Sequence, residues 1–236
     1  MIILTIPYHH RDRQQAADMC RLIADIEPAR REDVRVRLVA RGDTEHLELE
    51  TIRAIGRRFD VSWSKTVCTN DGWPSGPNMM AKEILMTSPA WLHEAGWSDA
   101  VGIYLMEPDC VPLCRDWLNQ IIRAWDLALI DGAWLMGSWR NSGGEHGHIN
   151  GNCVIDPKHA VGIGRHINQH IAWDCGIVGH VRNHWCVSGL FLNRFQTTNA
   201  TEEQLRTPET GAVPPVVVHG VKDNSAEAMA RRWMNL

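Results

Sequence analysis

In the first half of the chain, short β-branched runs alternate with longer segments whose apolar residues recur at helical spacing. The run from Ile2 to Ile6 predicts a buried first strand, and the pattern from Arg13 to Ile26 predicts an amphipathic helix. The alternation continues with a strand over Val34 to Ala40, a helix over His46 to Phe59 and a strand over Val61 to Val67. This order predicts an α/β fold with a Rossmann-like, mainly parallel central sheet and flanking helices.

The second half of the chain has a less regular pattern. The stretch from Gly137 to Asn152 is rich in Gly, Asn and His, which predicts a loop over the site. No internal repeat is visible, so we predict one domain. The other predicted elements are a helix from Asn78 to about Leu85, a strand over Val101 to Met106, helices over Cys114 to Ile130 and Asp174 to Trp185, and strands over Val187 to Asn193 and Val216 to Val218.

Composition narrows the class of protein. Hydrophobic residues at 44% and charged residues at 22% are ordinary for a globular chain of 236 residues. A formal charge of −4 argues against binding nucleic acid by bulk charge, although a local basic groove remains compatible with it. The 7 cysteines include no CxxC pair, which indicates reduced thiols and a cytoplasmic location, the host cytoplasm if the protein is viral. No segment approaches the roughly 20 apolar residues of a membrane span.

Two carboxylates follow the predicted strand at Val101 to Met106. Glu107 and Asp109 flank Pro108, which has a fixed φ and no N–H, so the chain leaves the sheet there and both side chains can face one pocket. Hard oxygen ligands of this kind suit Mg²⁺ or Mn²⁺ bridged to a substrate phosphate. A solvated turn is the alternative interpretation of the pair.

Other polar groups lie where predicted strands end. His219 follows a β-branched run and precedes Gly220, and an imidazole at a strand end suits Mn²⁺. Lys222, three residues further on, could neutralise a diphosphate as a point charge. In a parallel sheet, ligands bind beyond the carboxyl ends of strands. Three further polar clusters are predicted to lie there: Pro7-Tyr8-His9, Arg41-Gly42-Asp43 and the loop from Trp73 to Asn78.

Taken together, these features resemble a nucleotide-sugar-dependent glycosyltransferase of the GT-A fold. The shared features span nearly the whole chain, although each motif is short: Pro7-Tyr8 after the first strand, Arg41 and Asp43 after the second, Glu107 to Asp109, and His219 to Lys222. The sequence departs from the family's Asp-x-Asp motif because Glu107 stands first.

The resemblance implies a role for each matching residue. Asp109 and His219 would bind the metal, Mn²⁺ or Mg²⁺, while Glu107 would face the ribose, the sugar or a metal-bound water. Residues 1–110 would form a nucleotide-binding half and 111–236 an acceptor-binding half. The donor, for which a UDP-sugar is favoured, would be held by Pro7, Tyr8, Arg41, Asp43, Glu107 and Lys222.

An inverting transferase also needs a base that takes the acceptor's proton. Asp174 at a predicted helix start is the first candidate, with a simple helix cap as the alternative interpretation, and Glu145 is the second. By the same resemblance, Asn150 and Asn152 would contact acceptor hydroxyls. Trp73 would stack on the acceptor unless it belongs to the core. His146 and His148 are weaker metal-ligand candidates.

The acceptor itself is predicted only by analogy. A hydroxymethylated pyrimidine in phage DNA would fit a compact transferase, and a protein or a small molecule would also fit. Two other functions remain compatible with the same carboxylates: a nucleotidyltransferase or phosphohydrolase, and a non-catalytic sugar- or nucleic-acid-binding module that uses Trp faces. The first would call for a glycine-rich phosphate loop, which Pro7 to Arg11 does not resemble.

Overall fold

A computed structural model describes residues 1–141, 147–209, 211 and 213–236. Its central feature is a seven-stranded sheet in the order β3-β2-β1-β4-β7-β6-β8. Strands β1 to β4 are parallel to one another, and β7 runs antiparallel between β4 and β6. The strands of this sheet are β1 (Ile2–Tyr8), β2 (Val34–Ala40), β3 (Asp60–Lys65), β4 (Gly102–Leu105), β6 (Leu135–Arg140), β7 (His148–Ile155) and β8 (Trp185–Val187).

Helices cover both faces of the large sheet, as expected for crossover connections. One apolar cluster joins the sheet to α1, α2, α4 and α9, and the other joins it to α3, α5, α6 and α7. The helices are α1 (Arg13–Ile26), α2 (Leu49–Gly56), α3 (Ser75–Glu94), α4 (Trp117–Ile130), α5 (Pro157–His166), α6 (Trp173–Gly176), α7 (Val178–Val181), α8 (Glu202–Arg206) and α9 (Ser225–Met234).

A small second sheet lies beside the first, in the order β5-β10-β9. Its strands are β5 (Val111–Pro112), β9 (Phe191–Thr197) and β10 (Val217–Val221). Strand β10 pairs antiparallel with β5, with Val218 opposite Val111, and parallel with β9. Because β5 directly follows the Glu107 to Asp109 turn, this pairing brings the end of β10 next to that turn.

The predicted fold class is confirmed, and the first five elements lie where the pattern places them. The predicted helix over Arg13 to Ile26 and the strand over Val34 to Ala40 have the observed bounds. The helix predicted from Asn78 begins earlier, at Ser75, and extends to Glu94. Helix α1 shows helical spacing because one face of it is buried, whereas β1 and β2 are nearly continuous apolar runs because both of their faces are buried.

The predicted loop from Gly137 to Asn152 is wrong over most of its described length, because Gly137–Arg140 and His148–Asn152 belong to β6 and β7. Gly137 lies where side chains of β7 come very close to the backbone of β6. A Cβ on Gly137 would lie 2.7 Å from Ile149 Cγ2 and 3.0 Å from Cys153 Cβ. The glycine that weakens the strand pattern is therefore what allows the two strands to pack.

Two other predicted elements are also corrected. The segment from Asp174 to Trp185 forms two four-residue helices and the start of β8 instead of one helix. The predicted strand over Val187 to Asn193 is divided between β8 and β9, which belong to different sheets. In the described part of the chain, no helix is both long and apolar enough to cross a membrane.

Candidate active site

The site lies where the strand order reverses. The chain builds β1, β2 and β3 outward in one direction and then returns to place β4 on the other side of β1. At such a switch point the connections diverge and leave a crevice beyond the carboxyl ends of the two central strands. A pocket occupies this position, between the end of β1 at Pro7 and the turn after β4 at Glu107 and Pro108.

The acidic motif is a tight turn. Cys110 N donates to Glu107 O at 3.0 Å, which closes a four-residue turn with Pro108 in its second position, where proline is favoured. Glu107 and Asp109 therefore stand on one side of the turn. Asp109 is nearly buried, whereas the Glu107 side chain is 40% exposed.

His219 lies between the two carboxylates. Its Nε2 is 2.8 Å from Glu107 Oε2 and 3.2 Å from Asp109 Oδ1, and the imidazole is buried. Lys222 Nζ donates to Asp109 Oδ2. The sequence predicted that Glu107, Asp109, His219 and Lys222 share a site, and the structure brings these four side chains together.

A bulge in β10 explains the spacing of His219 and Lys222. The register with β9 shifts between His219 and Val221, and Gly220 has a φ of 90°, which a side chain would strain. A Cβ on Gly220 would also lie 2.9 Å from Phe195 Cα. Gly220 thus permits the bulge at which the chain presents first the imidazole and then the ammonium group to Asp109.

In this cluster, the attraction between opposite charges outweighs the effect of burial on the pKa values. Burial by itself would lower the pKa of His219, but the carboxylates of Glu107 and Asp109 outweigh burial and raise that pKa to about 10. Burial would likewise raise the pKa of Asp109, and the positive charges of His219 and Lys222 instead hold it far below its usual range. Without a metal, the imidazole therefore carries a proton, which it must release before it can act as a ligand.

The donor atoms of Glu107, Asp109 and His219 all lie within 4.8 Å of one another. Two carboxylates and one imidazole form a donor set that suits Mn²⁺ or Mg²⁺, since both metals accept oxygen ligands and Mn²⁺ accepts imidazole as well. The cluster therefore fits the metal that a GT-A fold implies.

His9, predicted at the end of the first strand, also lines the pocket, together with Asp12, which the sequence did not single out. Asp12 Oδ1 accepts from the backbone N of His9 at 2.6 Å, and its Oδ2 lies 3.3 Å from the His9 ring. Both residues follow the end of β1. For Asp12, only this position after a strand could have indicated a role, and polar residues there are also common in solvated turns. Burial, together with the nearby charges of Asp109 and Glu107, raises the pKa of Asp12 to about 6.

This shift predicts a pH-dependent gain in stability for Asp12→Asn in metal-free protein. The folded pKa of about 6 exceeds the usual 3.8, so the unfolded chain ionises first and stability falls as pH rises between these values. The variant should be more stable than the unaltered protein by about 2–3 kcal/mol at pH 7, and this advantage should vanish near pH 4. Urea unfolding of both proteins at pH 7 and at pH 4, in the presence of a metal chelator, measures this difference in the free energy of unfolding. Asp126→Asn, an exposed carboxylate on α4, is the control, and an equal gain at both pH values would contradict the assignment.

The opposite wall of the pocket is formed by Gly151 and Trp173. Asn78, a buried residue in the first turn of α3, holds this wall: its Oδ1 accepts from Trp173 N at 2.9 Å, and its Nδ2 donates to Ile171 O at 2.6 Å. A Cβ on Gly151 would lie 3.2 Å from Glu107 Oε1 and 3.1 Å from Trp173 Nε1. The absence of a side chain at 151 therefore keeps space between Glu107 and Trp173.

Gly151→Ala is expected to raise the KM for the donor about tenfold, which corresponds to roughly 1.4 kcal/mol of lost binding. Its methyl group would displace Glu107 and Trp173 by only a few tenths of an ångström, so the melting temperature should change little. Gly56→Ala is the matched control because a Cβ there meets no atom within 4 Å. Donor saturation kinetics measure the effect, and an unchanged KM would place the donor elsewhere.

Asp174 also contacts Gly151, the residue whose Cβ position faces Glu107. Its Oδ2 accepts from Gly151 N at 3.1 Å, and its Oδ1 accepts from Cys175 N at 2.9 Å. The Nε2 of His148 is 3.5 Å from Asp174 Oδ2. Asp174 is the second residue of α6, so its carboxylate serves local backbone groups and also stands beside the site. Glu145 and His146 lie outside the described residues.

Arg41 and Asp43 form a rigid pair at the end of β2. Arg41 is 2% exposed, and its guanidinium donates to both carboxylate oxygens of Asp43, at 2.7 and 2.9 Å. It also donates to Asn70 O and Asp71 Oδ1 in the loop before α3. Arg41 therefore holds Asp43 in place and ties two strand-end loops together.

The remaining predicted contacts differ in exposure. Tyr8 is buried, and its hydroxyl accepts from Leu47 N at 3.2 Å, so its ring packs in the core below the pocket. Asn150 is partly exposed, and its Oδ1 accepts from Asn152 N. Asn152 is buried, so an acceptor arriving from solvent would reach Asn150 first. Trp73 is 77% exposed at the rim and is therefore not a core residue.

Comparison with solved structures identifies the fold as that of GT-A glycosyltransferases. The galactosyltransferase LgtC, solved with donor and acceptor sugar analogues, is 14% identical, with a TM-score of 0.54 over 99% of this chain and 94% of that chain. Mouse xyloside xylosyltransferase 1 is 11% identical, with a TM-score of 0.55 over 95% and 99% of the two chains. No protein-family model and no curated protein matches the sequence.

A third similar structure is a glycosyltransferase involved in the glycosylation of the major capsid of PBCV-1. It is 9% identical, with a TM-score of 0.54 over 97% of this chain and 98% of that chain. At these identities the likeness establishes the shared fold. The function must be argued from the side chains of the site.

Proposed function

We propose that this chain is a metal-dependent glycosyltransferase that moves a sugar from a nucleotide-sugar donor, a UDP-sugar, to a hydroxyl acceptor. The observation that carries the proposal is the cluster of Glu107, Asp109 and His219, with Lys222 on Asp109, at the switch point of a GT-A sheet. Breaking a sugar–phosphate bond builds negative charge on the nucleoside diphosphate, and this is where a transferase needs positive charge.

Asp109 and His219 would hold Mn²⁺ or Mg²⁺, with Glu107 directed toward the ribose, the sugar or a bound water. When bound, the metal would supply positive charge to the diphosphate. Lys222 is 44% exposed, so its ammonium group can turn from Asp109 toward a phosphate once a metal neutralises that carboxylate. The exposure of Lys222 beside the metal ligand Asp109 supports a role for its ammonium group in holding the leaving diphosphate.

For the donor, the proposal places the nucleotide in the half formed by residues 1–110. Pro7 and Tyr8 shape the floor of the pocket, and Asp43 is the hydrogen-bonding group for the base or ribose. Arg41 acts on the donor through Asp43, because its own hydrogen bonds are directed to protein groups.

The acceptor half would comprise residues 111–236, with Trp73 contributing from the rim. Asp174 is the proposed base, which gives an inverting reaction. It stands one peptide group away from the pocket wall and is 14% exposed. Asn150 offers an amide to an acceptor hydroxyl.

For the acceptor we propose a hydroxymethylated pyrimidine in DNA. The exposed Trp73 supports this choice, because an indole face can stack on a base, and Arg11 stands beside Trp73 on the rim with a 67% exposed side chain. Transfer of labelled sugar to DNA containing hydroxymethylated pyrimidines, compared with unmodified DNA and free sugars, tests this. Labelling of free sugars alone would overturn the DNA acceptor and leave the transferase intact.

A cytoplasmic location is also part of the proposal. All 7 cysteines are described, and none of them forms a disulfide, which is consistent with a reducing compartment. Hydrolysis of nucleotide-sugars with and without Mn²⁺ tests the activity. Metal-dependent release of nucleoside diphosphate supports a glycosyltransferase, release of nucleoside monophosphate would indicate a phosphohydrolase, and no turnover of any donor would favour a binding module.

A further inference from the structure

A second group of potential metal ligands lies behind the pocket wall. The donor atoms of His148, Asp174 and Cys175 all lie within 4.8 Å of one another. His148 begins β7, and Asp174 and Cys175 are consecutive residues of α6. Gly151 lies between this group and the first cluster: its N–H donates to Asp174 Oδ2, and a Cβ on it would lie 3.2 Å from Glu107 Oε1.

The spacing of His148 and Asp174 fits joint metal ligation better than a hydrogen bond. Nε2 and Oδ2 are 3.5 Å apart, beyond the 2.7–3.2 Å of an N–H···O bond. Two ligand atoms bound to one tetrahedral Zn²⁺ at about 2.0–2.1 Å would lie about 3.3 Å apart.

The protein already orients the carboxylate of this group. Asp174 Oδ2 accepts from Gly151 N and Oδ1 from Cys175 N, so both oxygens are fixed before a metal arrives. The His148 side chain is more than nine-tenths buried, and its Nδ1 has no hydrogen-bond partner among the described residues. The other ring nitrogen, Nε2, lies 3.5 Å from Asp174 Oδ2, so this buried side chain presents Nε2 to the group.

The donor chemistry differs from that of the first cluster. One imidazole, one carboxylate and one thiol are the ligand types of Zn²⁺ sites, and the thiol favours soft metals over Mn²⁺ or Mg²⁺. Cys175 would release its thiol proton to solvent and bind as thiolate, with no change of oxidation state. Three protein ligands leave a fourth tetrahedral position for water.

We propose that His148, Asp174 and Cys175 form a separate Zn²⁺ site whose occupancy inhibits transfer. Zinc bound to Asp174 would occupy the carboxylate that takes the acceptor's proton. The first group of ligands, Glu107, Asp109 and His219, would remain available for Mn²⁺. The inhibition rests on the proposed function, whereas zinc binding does not.

Zinc binding is measured by calorimetry with Zn²⁺ alone on metal-free protein, in an Asp109→Ala background that disables the first cluster. One equivalent should bind. Adding Cys175→Ala or His148→Gln should weaken zinc binding on the order of 100-fold. Even the loss of a residue that only hydrogen-bonds to a metal ligand weakens metal binding about 10–100-fold. Cys186→Ala, a half-buried cysteine on β8, is the matched control and should bind zinc normally.

Cobalt provides a spectroscopic signature that a structural role would not produce. The Co²⁺ complex should show thiolate-to-metal charge-transfer absorption that is lost in Cys175→Ala and Cys175→Ser but retained in Cys186→Ala. Absence of this absorption in the parent, or equal zinc affinity in all variants, would overturn the site. Melting temperatures identify any variant that fails to fold, and Cys175→Ser then replaces Cys175→Ala.

The inhibition is measured as Mn²⁺-supported transfer in the presence of Zn²⁺, relative to each protein's own rate without zinc. Zinc should inhibit the unaltered protein and Cys186→Ala, and Cys175→Ala should need on the order of 100-fold more zinc. If zinc binds but does not inhibit, Asp174 is not the base. If no donor turns over at all, the proposed function fails while the calorimetry still decides the zinc site.

Discussion

Asp109→Ala is expected to reduce metal-dependent turnover of the donor by about 100- to 1,000-fold, the usual cost of removing one group that stabilises transition-state charge. Asp109 is the only described carboxylate that contacts both His219 and Lys222, so its loss removes a metal ligand and frees the ammonium group. Initial rates with saturating Mn²⁺ measure the effect.

The variant should remain folded, because His219 keeps Glu107 as a partner at 2.8 Å. Asp126→Asn on the exposed face of α4 is the matched control and should retain the full rate. Normal donor turnover by Asp109→Ala would mean that the metal, if one is used, binds elsewhere.

Asp174→Asn is expected to lower kcat for transfer by about 100-fold or more, while the donor binds with unchanged affinity. The amide cannot accept a proton, yet it has almost the shape of the carboxylate. The backbone N–H groups of Gly151 and Cys175 both donate to the Asp174 carboxylate, and the new NH₂ group would face one of them. Because that hydrogen bond would be lost, the melting temperature should fall somewhat. Single-turnover transfer and donor titration separate the two quantities.

For this second variant, Asp131→Asn at the exposed end of α4 is the control. A drop in donor affinity without loss of kcat would show that Asp174 only supports the pocket wall through Gly151. Full transfer activity would assign the proton acceptor to another residue.

The regular half of the fold was predictable from the sequence because its central strands are buried apolar runs and its first helix buries one face. Arg13 to Ile26 shows helical spacing since only one side of α1 packs on the sheet. The acidic motif was predictable for a related reason, as the buried strand β4 leads straight into Glu107-Pro108-Asp109.

The antiparallel part of the sheet was not predictable from local patterns. Strand β7 contains Asn150, Gly151 and Asn152, which interrupt the apolar pattern typical of a strand. Gly151 is needed at the pocket wall, where a side chain would meet Glu107 and Trp173. Strand β6 needs Gly137 for packing against β7, and glycine lowers strand propensity. Long-range requirements therefore masked the local pattern.

The same limit applies to the pocket residues. Asn78 holds Trp173 across 95 positions of sequence, and no spacing rule connects them. His219 and its partners Glu107 and Asp109 were predicted through the family resemblance, but no local pattern around His219 shows what brings them together. The β5–β10 pairing does so, and it opposes segments about 107 residues apart.

In the proposed function, the cluster of Glu107, Asp109 and His219 binds the metal that holds a nucleotide-sugar donor. The most direct test is the melting temperature of the unaltered protein with each nucleotide-sugar, with and without Mn²⁺, alongside Asp109→Ala. One donor, at about 100 times its Kd, should raise the melting temperature by about 5–10 °C with Mn²⁺ present, and Asp109→Ala should show no such shift. A donor shift that is equal without Mn²⁺, or equal in Asp109→Ala, would contradict this proposal.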